Sequence, residues 1–573
     1  MKMSFFWACL VFSFAGFAQK PRIAWGGEFK LRKGSTDLEV IHADKSGVYL
    51  QESHQALKSY FVVGATTRAS ATLVKLDKNL NEIYRSHFNQ ELKGKEFIQF
   101  FALQEKLLVF ASEYIRPEKQ LNIYGAEVNK NSGMLGGKWM QVASFQKEER
   151  KDDINLKITY NADSTDMVIV SSIEGKERNE YMVQEFDKDL KPTAKTATIS
   201  NEFDPKTFQL EDVLYTIKKK IILVGRVYEY QEGKKKKEKF LDFANYNIRI
   251  YNEEGKLERE IDTNVDGKWL ASTKLVQEKD KDIVLAAFYS DQKKGKTIDG
   301  MLVQRIHPVT GEVISTSNKK ISNALLSYDT DDSPDEEESK AERKERERLE
   351  KLKDEGEGFS KYMQFRNIFY TKNNELVILA EKYNSFIATS YDYGAPGVNG
   401  MPGRSTATSY RVHDSGDILM CKIDAGGNIG WLQVFLKAQR ERTYAISKTY
   451  LAGQYGVAGF FDVANTPYYS GFGAIQSNNS IQVFFNDNPK NAVVTQPGQK
   501  VKLTTRFDKS DCFVLSIDEA TGKATRKMFF GNGDEPTAMP RLGSVIDNSM
   551  YLVGKEDRLL GKTKIAVAKI TIK

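Results

Sequence analysis

The chain repeats one strand pattern eight times along its 573 residues, and this repetition restricts the possible folds more than any other feature. In each repeat, apolar and polar residues alternate up to one residue, usually Asp or Asn, that precedes a short turn. These turn residues are Asp77, Asn129, Asp187, Asn252, His307, Asp424, Asp518 and Thr571. Alternation with period two is typical of strands with one face on a core, and Asp or Asn followed by Gly favours a tight turn.

A second motif, a short continuous apolar run, precedes each alternating segment. The runs are 47–50, 107–110, 167–170, 221–225, 283–286, 376–379, 455–459 and 550–554. Such runs predict strands covered on both faces. Five of the seven steps between turn residues span 52 to 65 residues, the length of a propeller blade. We therefore predict an all-β fold, a single β-propeller of eight four-stranded blades. With strands lettered A to D from the inside outward, the apolar runs are strands B and the alternating segments strands C.

The two ends of the chain complement each other. The last residues supply strand C of the eighth repeat, and residues 22–29 resemble the strand D segments at 137–140 and 429–432, which also contain Gly and Trp. We expect the N-terminal strand to close the last blade, because ring closure removes free sheet edges. Seven blades are the nearest alternative count, and two β-sandwiches, which need no repeat, are the alternative fold.

Residues 1–18 have the pattern of a secretory signal. Lys2 is followed by an apolar stretch, 5–14, too short to span a bilayer, and small residues precede Gln19. We predict cleavage after Ala18 and a propeller over 19–573; a buried N-terminal element is the alternative. The leader and its Ala-Gln cut resemble those of exported Bacteroidota proteins. The resemblance implies a periplasmic protein, with an extracellular or outer-membrane-associated location as the alternative.

Long insertions are confined to the B–C and D–A connections, which open on one face of a propeller. The three largest, 327–360, 384–416 and 462–510, lie around blades six and seven, and shorter ones span 54–70 and 228–243. Residues 329–357 hold 14 acidic and 7 basic residues, which predicts a solvated helix or disorder. The segments 480–485 and 501–507 alternate and suggest an extra hairpin.

The insertions 384–416 and 462–510 are predicted to be loops rich in Tyr, Gly and Ser, a composition suited to recognition. The candidate binding residues are Tyr391, Tyr393, Tyr410, His413, Tyr468, Tyr469 and Phe472. The alternative is that these aromatic residues pack their own loops onto the propeller.

Few residues suggest chemistry. The five His residues lack metal-binding spacing, and neither a phosphate loop nor a nucleophile elbow occurs. His413, beside Asp414, could act as a general base, whereas His307 takes the place of a turn Asp and is predicted to be structural. Cys421 and Cys512 are expected to be free buried thiols. We predict no catalytic residue, metal or cofactor.

Charge does not indicate a nucleic-acid partner, because the net charge of +7 is small for this length. The basic run 234–237 is either a solvated loop or a contact for anionic headgroups. We expect a non-catalytic periplasmic propeller that docks a protein partner through the B–C and D–A face near blades six and seven. By analogy, the partner could belong to an outer-membrane complex such as the type IX secretion translocon. A glycan-binding or glycan-processing propeller is the alternative, and the oligomeric state is left open.

Overall fold

The computed structural model describes most of the chain after residue 20. The described ranges are 21–31, 35–59, 65–146, 153–161, 164–174, 179–201, 207–216, 218–232, 239–262, 268–277, 281–291, 298–307, 310–321, 330–331, 363–393, 405–444, 457–459, 467–494, 499–556 and 564–572. The predicted signal peptide, the basic run 234–237 and nearly all of 327–360 lie outside these ranges.

Eight four-stranded antiparallel sheets follow one another along the chain, as the repeat predicts. Strands A are Ser35–Asp44, Glu96–Leu103, Asp153–Tyr160, Phe208–Tyr215, Trp269–Val276, Met363–Tyr370, Phe472–Ser477 and Thr537–Ile546. Strands B are Gly47–Ser59, Lys106–Ile115, Met167–Glu174, Ile221–Glu232, Ile283–Ser290, Leu376–Tyr393, Ser480–Asp487 and Ser549–Glu556. Strands C are Ala65–Leu76, Gln120–Val128, Asn179–Phe186, Lys239–Tyr251, Gly300–Ile306, Ser405–Ile423, Asp511–Asp518 and Lys564–Ile572. Strands D are Glu82–His87, Met140–Gln146, Ala197–Asn201, Leu257–Asp262, Val313–Lys320, Ile429–Phe435, Ala524–Gly531 and Pro21–Trp25.

The eighth blade joins the two ends of the chain. Pro21–Trp25 pairs antiparallel with Lys564–Ile572, from Pro21 opposite Ile572 to Trp25 opposite Ala568. The Trp25 ring packs edge-on against Phe530 of blade seven, with ring centroids 5.8 Å apart. The predicted closure by the N-terminal strand and the count of eight blades are confirmed.

An apolar layer lies between each blade and the next, and each strand B contributes to two layers. In blade six, Ile378 and Ala380 face blade five, while Val377 and Leu379 face blade seven. The other interfaces are built in the same way, including the layer between blades eight and one. Both faces of each sheet are therefore covered, which explains why strands B are continuous apolar runs.

The turn residues close the C–D turns with their side chains. Asp77 Oδ1 accepts the backbone N–H groups of Asn79 and Asn81, and Asp187 and Asn252 repeat this pattern. The imidazole Nδ1 of His307 accepts the N–H of Thr310 at 3.0 Å, so the structural role predicted for His307 is confirmed. Gly522, with φ +71°, brings its turn against Trp431 of blade six, where a Cβ would lie 2.5 Å from the ring.

Blade seven differs from the sequence prediction. Its strand B is Ser480–Asp487, whereas the predicted run 455–459 contributes only Val457–Gly459, a short strand parallel to strand A of blade three. The extra hairpin expected from 480–485 and 501–507 is therefore wrong. The prediction failed because polar Gln482 interrupts the apolar run of Ser480–Asp487, although the Gln482 side chain is buried. The polar turn at Asn478, with φ +53°, was the overlooked signal. Asn374 has a similar φ of +59° in the turn that precedes strand B of blade six.

Three B–C insertions are longer strands rather than loops. The hairpins of blades one and four continue to Ser59 opposite Ala65 and to Glu232 opposite Lys239. The blade-six hairpin continues to Tyr393 opposite Ser405, so 384–416 is mostly paired β-structure. Because strands alternate in direction, all three hairpins rise from the face that also carries the D–A connections. The loop prediction missed them because hydrogen bonding across the hairpin, not an apolar pattern, keeps these segments extended.

The two thiols are free and buried, as predicted. Cys421 lies in the layer between blades five and six, and Cys512 in the layer between blades seven and eight. Burial raises the pKa of both thiols. In the described ranges, no helix has the length and apolar character needed to cross a bilayer.

Ring closure predicts a large stability effect. Removing residues 20–31 from the chain without its leader exposes the outer edge of Lys564–Ile572 and uncovers Phe530, so we expect a loss of several kcal/mol of unfolding free energy. Thermal and urea unfolding measure it, and a variant lacking only residues 19 and 20 is the matched control. An unchanged melting temperature in the longer truncation would contradict closure by this strand.

Candidate functional site

Blade six carries a three-stranded sheet beyond its blade. Tyr383–Tyr393 pairs with Ser405–Ser415, and on the other side of the latter lies Gln439–Tyr444, from Tyr410 opposite Tyr444 to Ser415 opposite Gln439. We call residues 383–393, 405–415 and 439–444 the blade-six extension. Ten residues of strand beyond Tyr383 span about 33 Å, which makes the extension a large feature of this face.

A buried polar network holds the base of the extension. Lys437 is fully buried, and its Nζ donates to Glu381 Oε1 and to Gln439 Oε1, both at 2.7 Å. Arg366 donates through Nε to Glu381 Oε2 at 2.8 Å. Burial alone would raise the pKa of Glu381, but Lys437, Arg366 and Arg541 together hold it at about 2. The Glu381 carboxylate therefore stays charged in the interior.

Glu441 holds the segment that leads into strand A of blade seven. Its carboxylate accepts the backbone N–H groups of Tyr468, Tyr469 and Ser470, each at 2.7 Å. Burial raises the pKa of Glu441, and these three donors oppose that shift. The adjacent Gly471 donates its N–H to Gln439 Oε1 at 2.8 Å. The segment that enters blade seven is thus tied to the third strand of the extension.

Asp487 organises the B–C connection of blade seven in the same manner. Its Oδ1 accepts hydrogen bonds from the Asn488 N–H, the Asn491 amide and the Thr504 hydroxyl at 2.7 to 2.8 Å. Its Oδ2 pairs with Arg526, whose guanidinium lies 4.3 Å from the Phe513 ring centroid. The described parts of the connection, 488–494 and 499–510, are therefore tied to the blade by side-chain hydrogen bonds.

His413 lies in the interior, not on the loop face where the sequence suggested a general base. It is fully buried; its Nδ1 is hydrogen bonded to the Tyr383 hydroxyl at 2.7 Å and its Nε2 to the Thr443 hydroxyl at 2.8 Å. Burial, with the charges of Arg411 and Arg541, lowers the pKa of His413 to about 3. The imidazole is neutral at physiological pH and joins the three strands of the extension.

The other candidate aromatic residues divide into two groups. Tyr468 and Tyr469 are half-buried against the layer between blades eight and one, and the Tyr469 ring stacks on Phe507 at 5.7 Å. Phe472 is 5% exposed and begins strand A of blade seven, so it belongs to the core. For these three residues, the packing alternative describes their surroundings better than an open binding loop.

The remaining candidates lie on the extension. Tyr391 and Tyr393 are in strand B and Tyr410 in strand C of blade six. Tyr410 pairs with Ala388 on one side and Tyr444 on the other. Their side chains lie outside the described part of the structure, so their proposed contact role stays a prediction.

Two arginines face Tyr383 from the inner strands. Their guanidinium carbons lie 5.0 Å (Arg366) and 5.4 Å (Arg541) from the centroid of the Tyr383 ring. Burial and the charge of Arg366 lower the pKa of Arg541 to about 10, so it remains a cation at neutral pH. Arg366 is on blade six and Arg541 on blade eight, so the pair spans the entry to blade seven.

Sequence reasoning missed the charged residues of this sector. Glu381 directly follows the apolar run of strand B, and Lys437 interrupts the apolar segment 434–438. A charge inside a buried strand pattern implies a buried partner, which was the available signal. The identity of the partner could not be read from the sequence, because Glu381 and Lys437 are 56 residues apart.

Comparisons with known proteins give the chain no family. No family model matches it, and no curated protein does. Among solved structures it is similar to the polysaccharide lyase Uly1, with 11% identity, a TM-score of 0.33 and coverage of 82% of this chain and 89% of that one. It is also similar to the β-propeller domain of the Trilobed protease from Pyrococcus furiosus, with 9% identity, a TM-score of 0.29 and coverage of 87% and 98%. A third similarity is to the α-L-arabinanase of Penicillium chrysogenum, with 10% identity, a TM-score of 0.26 and coverage of 51% and 94%. At such values none of these similarities bears on what the chain binds.

The network predicts a strong effect of Lys437→Met. The change leaves Glu381 Oε1 buried without its donor and removes one of the two donors to Gln439 Oε1, and we expect a loss of about 3 kcal/mol of unfolding free energy. Lys320→Met is the control, because Lys320 is 77% exposed and its pair with Asp291 is a surface pair. Urea unfolding of both variants measures the difference. Equal stability of the two variants would contradict the role given to Lys437.

Asp417 predicts a dependence of stability on pH. It is 1% exposed, and burial raises its pKa to about 7, well above the usual value of an aspartate, although Oδ1 accepts the Lys437 N–H at 3.1 Å. Because the folded form binds the proton more tightly, this group costs stability as pH rises from about 4 to above 7. Asp417→Asn should raise the melting temperature at pH 8 by roughly 2 °C or more and change it less at pH 5. Asp508→Asn, at an exposed site on the same face, is the control. A gain that is the same at both pH values would contradict the titration.

Proposed function

We propose that the protein is a non-catalytic binding propeller that docks a protein partner on the face carrying the blade-six extension. One observation supports this most: the extension is held at its base by buried charges that ring closure does not require. Burying a carboxylate and an ammonium costs several kcal/mol in desolvation before they pair. Such groups are kept where a fixed geometry matters more than stability.

The network restricts movement of the extension relative to the ring. Glu381 lies on strand B, Lys437 follows strand D, and Glu441 is on the third strand of the extension. Together they connect blade six to the entry of blade seven through contacts of 2.7 Å. A rigid element loses little conformational entropy when it binds, so more of the contact energy appears as affinity.

The strand arrangement suits a protein partner. Within the described residues, no strand pairs with the inner edge of strand B, the edge that faces strand A, beyond Lys382. We propose that an added strand pairs with this edge. Ile387, on this segment, is 55% exposed. Exposed edges of this kind bind extended peptides by strand addition.

The compartment in the proposal comes from the leader. A signal cleaved after Ala18 would deliver the mature chain to the periplasm, where an outer-membrane complex such as a type IX secretion-like assembly is one class of partner. Tyr391, Tyr393 and Tyr410 are proposed as contact residues of the extension, because Tyr gives large contact area at low entropic cost.

Partner capture tests the proposal. Tagged protein is expressed in its native cells and isolated with and without residues 389–409 replaced by Asn-Gly, which leaves Ala388 next to the new turn and keeps the pairing with Gln439–Tyr444. We expect the shortened hairpin to lose at least one abundant partner while its melting temperature stays close to that of the parent chain.

The matched control shortens the blade-four hairpin by replacing residues 230–241 with Asn-Gly. This hairpin rises from the same face, two blades away from blade six. We expect the control to retain the partner. Identical partner sets in all three proteins would contradict docking through the extension, as would loss of the partner from both shortened variants.

A further inference from the structure

Strand A carries a bulge at one recurring position, and two of these bulges hold arginine. The pairing of strands A and B shifts register at Ile41, Ile98, Glu211, Ala271, Arg366 and the segment that contains Arg541. Strand A is the innermost strand of each propeller blade, and at two of these positions, Ile41 and Ile98, the side chain packs against an apolar layer. A bulge redirects a side chain relative to the regular pleat. In blades six and eight the redirected guanidiniums meet at Tyr383.

Arg541 lacks a counter-ion of its own. Its Nη1 is buried without a hydrogen-bond partner, and the described residues give it neither a hydrogen bond nor an ion pair. Glu381 is the nearest described candidate, but its Oε1 accepts from Lys437 and its Oε2 from Arg366. Glu441 is occupied by three backbone N–H groups. Both carboxylates attract Arg541 electrostatically, but neither is hydrogen bonded or ion paired to it.

Among the described residues, the arrangement leaves the Arg541 guanidinium without a direct anionic contact. Its Nη1 is buried and unpaired, whereas Lys437 and Arg366 are both hydrogen bonded to Glu381. A partly buried guanidinium without an anion pays a desolvation cost that a bound anion would offset. Guanidinium forks match carboxylates with two parallel hydrogen bonds.

We propose that Arg541, with Arg366 beside it, binds a carboxylate of an acidic segment of the docked protein partner; this inference rests on the proposed function. Among the described residues, the inner edge of strand B is unpaired from Tyr383 onward, and both guanidiniums face Tyr383. An extended acidic peptide can therefore add to this edge and place one carboxylate between the two arginines. The open edge favours a peptide over a uronic-acid sugar, because a sugar has no backbone N–H and C=O groups to pair with a strand.

The test measures binding of a fluorescein-labelled hexaglutamate peptide to the full mature chain by anisotropy at low salt. We expect the peptide to bind, a hexaglutamine peptide not to bind, and Arg541→Gln to weaken hexaglutamate binding at least tenfold. Arg506→Gln is the matched control on the same face, since the Arg506 side chain is 51% exposed; it should change binding less than twofold. Arg541→Lys should give an intermediate loss, which provides a second variant should Arg541→Gln not fold.

Three outcomes would overturn the inference. They are unchanged binding in Arg541→Gln and Arg541→Lys, equal losses in Arg541→Gln and Arg506→Gln, and displacement of the peptide by 10 mM inorganic phosphate, which would identify a site for a free anion. Tighter binding of a uronic-acid hexasaccharide than of the peptide would overturn the peptide assignment.

The capture experiment separates this inference from the proposed function. Capture that depends on the blade-six hairpin, with no effect of Arg541→Gln on peptide binding, would overturn only the arginine site. Loss of peptide binding in Arg541→Gln, with capture unaffected by the shortened hairpin, would overturn docking through the extension and leave a carboxylate site at Arg541.

Discussion

The rest of the structure depends on the apolar layers between neighbouring blades. Each sheet buries both faces, so strand B must be apolar on both sides, and eight such sheets can cover one another only if the last also covers the first. The N-terminal strand Pro21–Trp25 completes the eighth sheet for that reason. Residue Trp25 reaches Phe530 of the preceding blade. Ring closure is therefore needed to complete the core, because an open ring would expose the apolar faces of its two end blades to water.

With the layers fixed, variation is confined to the ends of the strands. The A–B and C–D turns are short and closed by backbone and side-chain hydrogen bonds, as at Asp77 and His307. These turns also pack on the preceding blade, as Gly522 does on Trp431. The opposite face carries the B–C and D–A connections and can lengthen without disturbing the layers. The long hairpins of blades one, four and six all rise there.

Blades six to eight depart from the pattern of apolar layers in one place. Glu381 takes the position after an apolar run, and Lys437 and Arg366 compensate its charge. Replacing a whole buried ion pair by apolar side chains of similar volume is often neutral for stability, whereas removing one partner is destabilising. The presence of this pair is therefore better explained by the positions it imposes on the extension and on the entry to blade seven. Arg541 is the member of this cluster to which the described residues give no hydrogen bond or ion pair, and the proposed carboxylate site connects it to binding.

The periodic pattern of the chain was sufficient for the fold class, the eight blades, the closure by residues near the N-terminus and the roles of His307 and the two thiols. The blades and turns repeat or depend on neighbours close in sequence, so local polarity and turn chemistry encode them. The closure was predictable because the last repeat lacks a strand D and the N-terminal segment resembles one. It was not sufficient for blade seven, where buried Gln482 breaks the apolar run of the true strand B, or for the hairpin of blade six, whose pairing is made by backbone groups.

The environment of His413, the pairing of Glu381 with Lys437 and the meeting of two arginines at Tyr383 were decided by tertiary structure alone. Each joins residues that are brought together by strand pairing or by the packing of blades and that carry no mark of one another in the sequence. Burial and charge compensation depend on the side chains that surround a residue in the folded protein. The residue type at one position therefore does not reveal them.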